Sequence, residues 1–190
     1  VQSYTHCELL GGTRDDAVGE AYDKVARVLG LGYPGGPKID KIAKEGDPQA
    51  INFKRVYLEK DSFDFSFSGL KTAVLNYINQ EKQAGREIDR ADVAASFQQA
   101  VMDVVVRKTV DAAVLKGEKK LVLAGGVAAN SKLREMLGAA CEKAWIRLYR
   151  PEPILCTDNG AMIAAAAYYK YQSGQTDDLD LEAYASLPLA

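Results

Sequence analysis

Residues 120–124 form a short apolar run that Gly125-Gly126 follows at once; a helical stretch then reaches about Lys143, and residues 146–149 carry a second strand-like segment. No other feature constrains the fold as strongly. Strands joined by a crossover helix run parallel, because tight hairpins join only antiparallel neighbours, and the crossover is almost always right-handed. The first run, apolar without alternation, reads as a buried strand.

The rest of the chain supplies helices to cover such a sheet. A helix is expected over 15–29, where Ala17, Ala21, Val25, Val28 and Leu29 recur at helical spacing. Gly30 and Gly32 stop it, Tyr33-Pro34-Gly35-Gly36-Pro37 makes a stiff turn, and a short helix is expected over 38–44. Residues 47–64 read as loop with strand character over 55–58. The phrase over 63–72 alternates aromatic and small polar residues and passes into a helix reaching Gln83. Asp89 caps a long helix to about Leu115, with Val93, Phe97, Val101, Val104 and Val105 toward the core. A last helix is expected over 157–171, and residues 175–190 read as an acidic surface segment. The class is α/β, helix-rich, and the length suits one domain over residues 1–190 or one domain with an appended piece.

Composition narrows the chemistry. With 47% apolar and 26% charged residues in 190, the chain can bury a real core. The net charge of −2 excludes a surface that is basic throughout, so nucleic acid would meet a local patch. Lys38, Lys41, Lys44, Lys54 and Arg55 form the one basic cluster of note, read either as solvated surface or as RNA contact. No apolar run approaches the roughly 18 residues of a membrane span. Cys7, Cys141 and Cys156 match neither a disulfide nor a metal signature, which points to a reduced, cytoplasmic compartment and bystander thiols. His6 is the one histidine, which excludes a multi-histidine metal site and a Ser/His or Cys/His catalytic pair within this chain. The chain opens on Val1 with no Met, as expected of a processed product or a piece of something longer.

Five places carry candidate chemistry. Gly125-Gly126 after a strand, with Asn130 in the first turn of the following helix, either lets backbone approach a ligand while the carboxamide reads a ribose or base edge, or turns the chain with a local cap. Asp16, Glu20 and Asp23 share a helix face, suited to ribose hydroxyls or a metal-bound phosphate, or else solvated with Glu20 paired to Lys24. The turn at 33–37, with Asp40 one helical turn on, is a rigid ligand-facing segment or only a turn. Asp158 stands at the start of an alanine-rich helix, where an aspartate is most often the N-cap. Ser66, Ser68 and Lys71 are possible polar contacts in a phrase that otherwise reads as core.

Five phrases in order resemble one family: Leu10-Gly11-Gly12-Thr13-Arg14-Asp15-Asp16-Ala17-Val18-Gly19-Glu20-Ala21-Tyr22-Asp23-Lys24, Leu29-Gly30-Leu31-Gly32-Tyr33-Pro34-Gly35-Gly36-Pro37, Phe65-Ser66-Phe67-Ser68-Gly69-Leu70-Lys71-Thr72-Ala73, Gly125-Gly126-Val127-Ala128-Ala129-Asn130, and Thr157-Asp158-Asn159-Gly160-Ala161-Met162. The chain is similar over nearly its whole length to the tRNA N6-adenosine threonylcarbamoyltransferases, a family once described as glycoproteases. The resemblance implies an actin-like, sugar-kinase-like ATPase fold of two lobes, of which this chain is the second lobe and C-terminal end. It implies transfer of threonylcarbamoyl from threonylcarbamoyl-AMP to N6 of an adenosine beside the tRNA anticodon. By residue match, Asp23, Gly36, Asp40 and Asn130 bind the adenylate substrate and Asp158 ligates a divalent metal, iron or zinc-like. The two further metal ligands, a His-x-x-x-His pair, belong to the first lobe, so the isolated lobe is expected to be inactive. A paralogous subunit and an ATPase are the implied partners. Gly12 departs from the family pattern, which has glutamate there. Other readings are a lobe of an actin-like small-molecule kinase or ATPase, and a non-catalytic partner-binding domain. Proteolysis finds no nucleophile–base pair to support it.

Overall fold

A computed structural model describes residues 1–184. Among the described residues there are six α-helices: α1 (Val18–Val28), α2 (Gly35–Ile42), α3 (Ser68–Gln83), α4 (Arg90–Leu115), α5 (Ser131–Lys143) and α6 (Gly160–Gln172). The strands are β1 (Lys120–Val122) and β2 (Arg147–Tyr149), and 3-10 turns occupy Gly126–Ala129 and Pro153–Leu155. As the crossover predicts, β1 and β2 pair in parallel, with Lys120 opposite Arg147, Leu121 opposite Leu148 and Val122 opposite Tyr149.

The long helix α4 is the spine. Asp89 caps it, its carboxylate accepting from the N–H groups of Ala91 and Asp92, as its position before an apolar-periodic run predicts. Val93, Phe97, Val101 and Val104 are buried on it. α2 and α5 pack against α4, and α1 packs against α2 and α3. From α1, Ala21, Tyr22, Val25, Ala26 and Leu29 enter the same core.

Several expected boundaries move, each for a local reason. α1 starts at Val18, not Asp15, because Ala17 is extended and the Asp15 and Asp16 side chains are engaged elsewhere. α2 takes in Gly35, Gly36 and Pro37, since first-turn positions lack an intrahelical partner for N–H and tolerate proline. Gly35 is needed there for closeness: a Cβ on it would lie 2.7 Å from the Asp23 Cα and 2.8 Å from the Ala26 Cβ.

The strand expected to be buried is not. Leu121 is half-buried, while Lys120 and Val122 face outward, Val122 at 73% exposure. Helices cover only one face of the pair among the described residues, so a run of apolar residues is buried on alternate positions alone. Residues 55–58 form no strand, and the opening segment holds a single bridge between Ser3 and His6. α6 has no buried residue, and Tyr4 stacks on its Tyr169 at 3.6 Å between ring centres. The acidic segment expected over 175–190 is exposed through Tyr184, and residues 185–190 lie outside the described residues. No helix among the described residues is long and apolar enough to cross a membrane. Cys141 and Cys156 are buried thiols and form no disulfide.

Candidate functional site at the junction of α1, α2 and α5

Four of the residues singled out in the sequence converge at the junction of α1, α2 and α5. Asp23, half-buried on α1, accepts the Gly35 N–H through Oδ1 at 2.6 Å. A carboxylate there complements the positive end of α2. From the next turn of α2, Asp40 accepts from both the Ser131 backbone N–H at 3.2 Å and the Ser131 hydroxyl at 2.9 Å. Ser131 opens α5, and Asn130 is its N-cap. Two helix N-termini are thus each met by a carboxylate from a neighbouring helix, Asp23 at Gly35 next to Gly36 and Asp40 at Ser131 next to Asn130.

Asn130 is more deeply engaged than its position in a first turn predicts. It is 9% exposed; its Oδ1 accepts from the Leu133 N–H at 2.9 Å, and its Nδ2 donates to Gln98 Oε1 at 2.8 Å. The same Gln98 oxygen accepts from the Tyr22 hydroxyl at 3.3 Å. Burial, then the negative charge of Asp40, push the Tyr22 hydroxyl up from its ordinary range, which keeps it a donor. Gln98 escaped the sequence reading, although a glutamine amid the apolar positions of α4 was a visible signal. The turn ahead of Asn130 needs glycine at one position, Gly125, whose φ is +88°.

The three-carboxylate face on α1 divides. Asp16 and Glu20 both hold Lys24, at 2.6 and 2.8 Å, while Asp23 alone turns toward α2. Asp158 is exposed, and the capping role belongs to its neighbour: the Asn159 side chain accepts from the Met162 N–H. Residue 159 is extended, with φ at −152°, so the helix starts one residue later than an Asp158 cap requires. The described residues contain no cluster of three His, Cys, Asp or Glu groups that could hold a metal. Asp158 by itself does not build a metal site.

A second polar centre, unforeseen in the sequence, joins the opening segment to α3. Asp15 accepts four hydrogen bonds: from the Ser66 hydroxyl, from the Phe67 N–H, and from the Ser68 N–H and hydroxyl. It therefore caps α3 from a distance in sequence. Burial opposes the charge, yet these four donors hold the Asp15 carboxyl far below the usual carboxylate range. Beside it, Arg14 binds Glu59 and Asp64, and Thr13 bridges Phe65. Lys108, 6% exposed, donates to the carbonyls of Ser62 and Asp64, and burial lowers its ammonium below the ordinary range. A Cβ on Gly12 would meet nothing within 4 Å.

Because the Asp15 carboxyl sits below its unfolded-state value, its stabilisation is complete above the ordinary carboxylate range and lost as pH falls through the folded-state value. Asp15→Asn is expected to lower stability by about 1–2 kcal/mol at pH 7, the lower figure reflecting exposure. The gap to wild type narrows between pH 4 and pH 2. Urea titrations at both ends check this, and a gap independent of pH contradicts it.

The basic cluster is partly consumed: Arg55 pairs with Asp103 and Asn52, and Lys38 donates to the Leu31 carbonyl. Larger clefts lie elsewhere. One of about 450 Å³ is lined by Gln49, Asn52, Arg55, Gln99 and Asp103, and another of about 470 Å³ lies between residues 57–63 and α4. Neither is lined by Asp23, Gly36, Asp40, Asn130 or Asp158.

Comparison with known proteins follows this geometry. Residues 1–165 match the family model of the tRNA N6-adenosine threonylcarbamoyltransferases. A protein of that name from Clostridium botulinum is 56% identical over 189 residues, covering all of this chain and 56% of the relative. One from Moorella thermoacetica is 55% identical, again over the whole chain and 55% of its own length. The chain thus spans little more than half the length of the curated relatives it matches. Among solved structures, HypF of T. kodakarensis superposes with a TM-score of 0.62 at 23% identity, covering 84% of this chain and 20% of that one. A likeness at that identity concerns fold alone, and the fold is the helix-rich α/β, actin-like lobe with a short parallel sheet.

Proposed function

The chain belongs to the tRNA N6-adenosine threonylcarbamoyltransferase family, and on that premise we propose that it forms the adenylate-holding lobe of an enzyme moving threonylcarbamoyl from threonylcarbamoyl-AMP to N6 of a tRNA adenosine. The observation that carries this reading is a pair of helix starts, each held by a carboxylate: Asp23 accepts the Gly35 N–H next to Gly36, and Asp40 holds Ser131 next to Asn130. Asp23 has a second carboxylate oxygen for a ribose hydroxyl, Gly36 has no Cβ to hold a nucleoside off the backbone, and the Asn130 carboxamide, bonded to Leu133 and Gln98, has its second Nδ2 hydrogen for a base or sugar edge. Asp40 orients Ser131 and with it the start of α5.

The attacking group is the adenine N6 amine and the leaving group is AMP, so the reaction asks no covalent nucleophile of this chain. Asp158 would supply one carboxylate ligand to a divalent metal whose other ligands come from outside these residues. Such a metal would supply Lewis-acid chemistry at the threonylcarbamoyl-phosphate end of the donor; no step assigned to this chain depends on it. tRNA is the acceptor, a paralogous subunit and an ATPase are proposed partners, and the compartment is proposed to be cytoplasmic.

A fusion tests the reading: this chain replaces the corresponding 56% of the Clostridium botulinum relative. The fusion is expected to transfer labelled threonylcarbamoyl to tRNA, and the 190-residue chain alone is expected to bind AMP weakly and transfer nothing. Turnover by the isolated chain, or an inert fusion beside an active parent, contradicts the proposal.

A further inference from the structure

The loop carrying Asp158 has few attachments to the rest of the lobe. α6 after it buries no residue, and the residues on either side of Asp158, Thr157 and Asn159, bond only within their own turn. Among the described residues, the hydrogen bonds that reach residues 151–156 from another element come from a single side chain on α5. The Arg134 guanidinium donates through Nε to the Ala128 carbonyl, and through Nη2 to the Pro151 carbonyl at 2.8 Å and to Cys156 Sγ at 3.2 Å. Ala128 is fully buried in the glycine turn, and Cys156 is 2% exposed. The Cys156 thiol in turn reaches the Glu152 carbonyl at 3.5 Å, closing the loop on itself.

Arg134 lies four residues after Asn130, on the same face of α5 one turn on. The helix that Asn130 caps therefore also carries the group that grips the second loop. A planar guanidinium has donors pointing in several fixed directions and serves acceptors on both sides at once; an ammonium on a flexible stem does not hold two segments at a set spacing.

We propose that Arg134 is a positioning residue that sets the distance between the Gly125–Asn130 turn and the loop bearing Asp158, so that both meet one donor molecule in register. The functional half of this inference rests on the reading above; the clamp itself rests on the hydrogen bonds alone. Arg134→Gln is expected to speed hydrogen exchange over residues 151–158 while α5 keeps its protection. In the fusion it is expected to lower kcat by roughly 100-fold, the cost of a displacement near 1 Å, with KM for threonylcarbamoyl-AMP within about twofold of wild type. Arg134→Lys keeps the charge and the stem, and covers the case in which the glutamine variant fails to fold; it is expected to shift in the same direction. Lys132→Gln, a surface change on the same helix, is the control for lost charge.

Unchanged exchange over 151–158 overturns the clamp. Wild-type kcat in either Arg134 variant, or a rise in KM with kcat kept, overturns its role in register. If the unsubstituted fusion itself transfers nothing, the proposed function fails, and the exchange measurement still decides the clamp.

Discussion

Phe97→Ala is expected to lower the unfolding free energy by about 3–5 kcal/mol, the range for truncating a fully buried aromatic side chain. For a chain of this size that moves the midpoint of thermal unfolding down by roughly 6–20 °C. Phe97 sits in the middle of α4 with no exposure, and its ring meets Tyr22 edge-on at 5.1 Å and 63°. The truncation therefore removes core volume and also the wall against which Tyr22 is held. Tyr22 donates to Gln98, the residue after Phe97, and Gln98 holds Asn130. Core and candidate site share this stretch of α4, so the loss of stability is expected to come with a loosened Asn130. Calorimetry measures the first, and amide exchange at Leu133, whose N–H the Asn130 side chain accepts, measures the second. Phe97→Leu retains most of the apolar volume and is expected to show the same pattern with a smaller loss. A drop below about 1 kcal/mol for the alanine variant would mean the site collapses around the missing ring.

How far the sequence reading reached depends on whether a residue acts through local pattern or through distant partners. α4 was legible because its signals are local: Asp89 before an apolar-periodic run, Gly117 after it, and Val93, Phe97, Val101 and Val104 on one face. The parallel pair β1–β2 was legible from strand, glycines, helix and strand in order. Its exposure was not, since periodicity reports which residues are apolar and says nothing of whether a second layer covers them. The four junction residues were named by resemblance, and spacing alone left each open. Asp15 and Arg134 were missed because their partners lie far along the chain: Asp15 holds residues 66–68, and Arg134 reaches residues 151 and 156. For Asp158 the residues alone favour a cap and the resemblance a metal ligand; the capping role falls to Asn159, which caps equally well, and the local φ decides between the two.

Asn130→Ala is expected to cost about 2–3 kcal/mol and, on the proposed function, to abolish useful binding of the adenylate donor. Two losses combine in the stability term. Removing Oδ1 leaves the Leu133 N–H without its cap, worth about 1 kcal/mol. Removing Nδ2 deprives the buried Gln98 oxygen of its shorter partner, worth about 1–3 kcal/mol and only partly offset by the Tyr22 hydroxyl that remains. Asn130→Asp separates the two. It keeps the capping oxygen and gains from the positive end of α5, but it turns a donor into a charged acceptor facing Gln98 Oε1. Gln98 could answer by reversing its amide, yet its NH₂ would then face the Tyr22 hydroxyl, which would lose its acceptor. The aspartate variant is accordingly expected to be less stable than wild type at neutral pH and to recover on acidification, when its protonated carboxyl donates again. AMP binding followed by NMR in the fusion distinguishes the cap from the ligand role. Affinity that falls at least about tenfold in the alanine variant, at a temperature where it is fully folded, places the carboxamide on the nucleotide. Wild-type affinity there would leave Asn130 as the cap of α5 and move the base-reading contact to another residue of the junction.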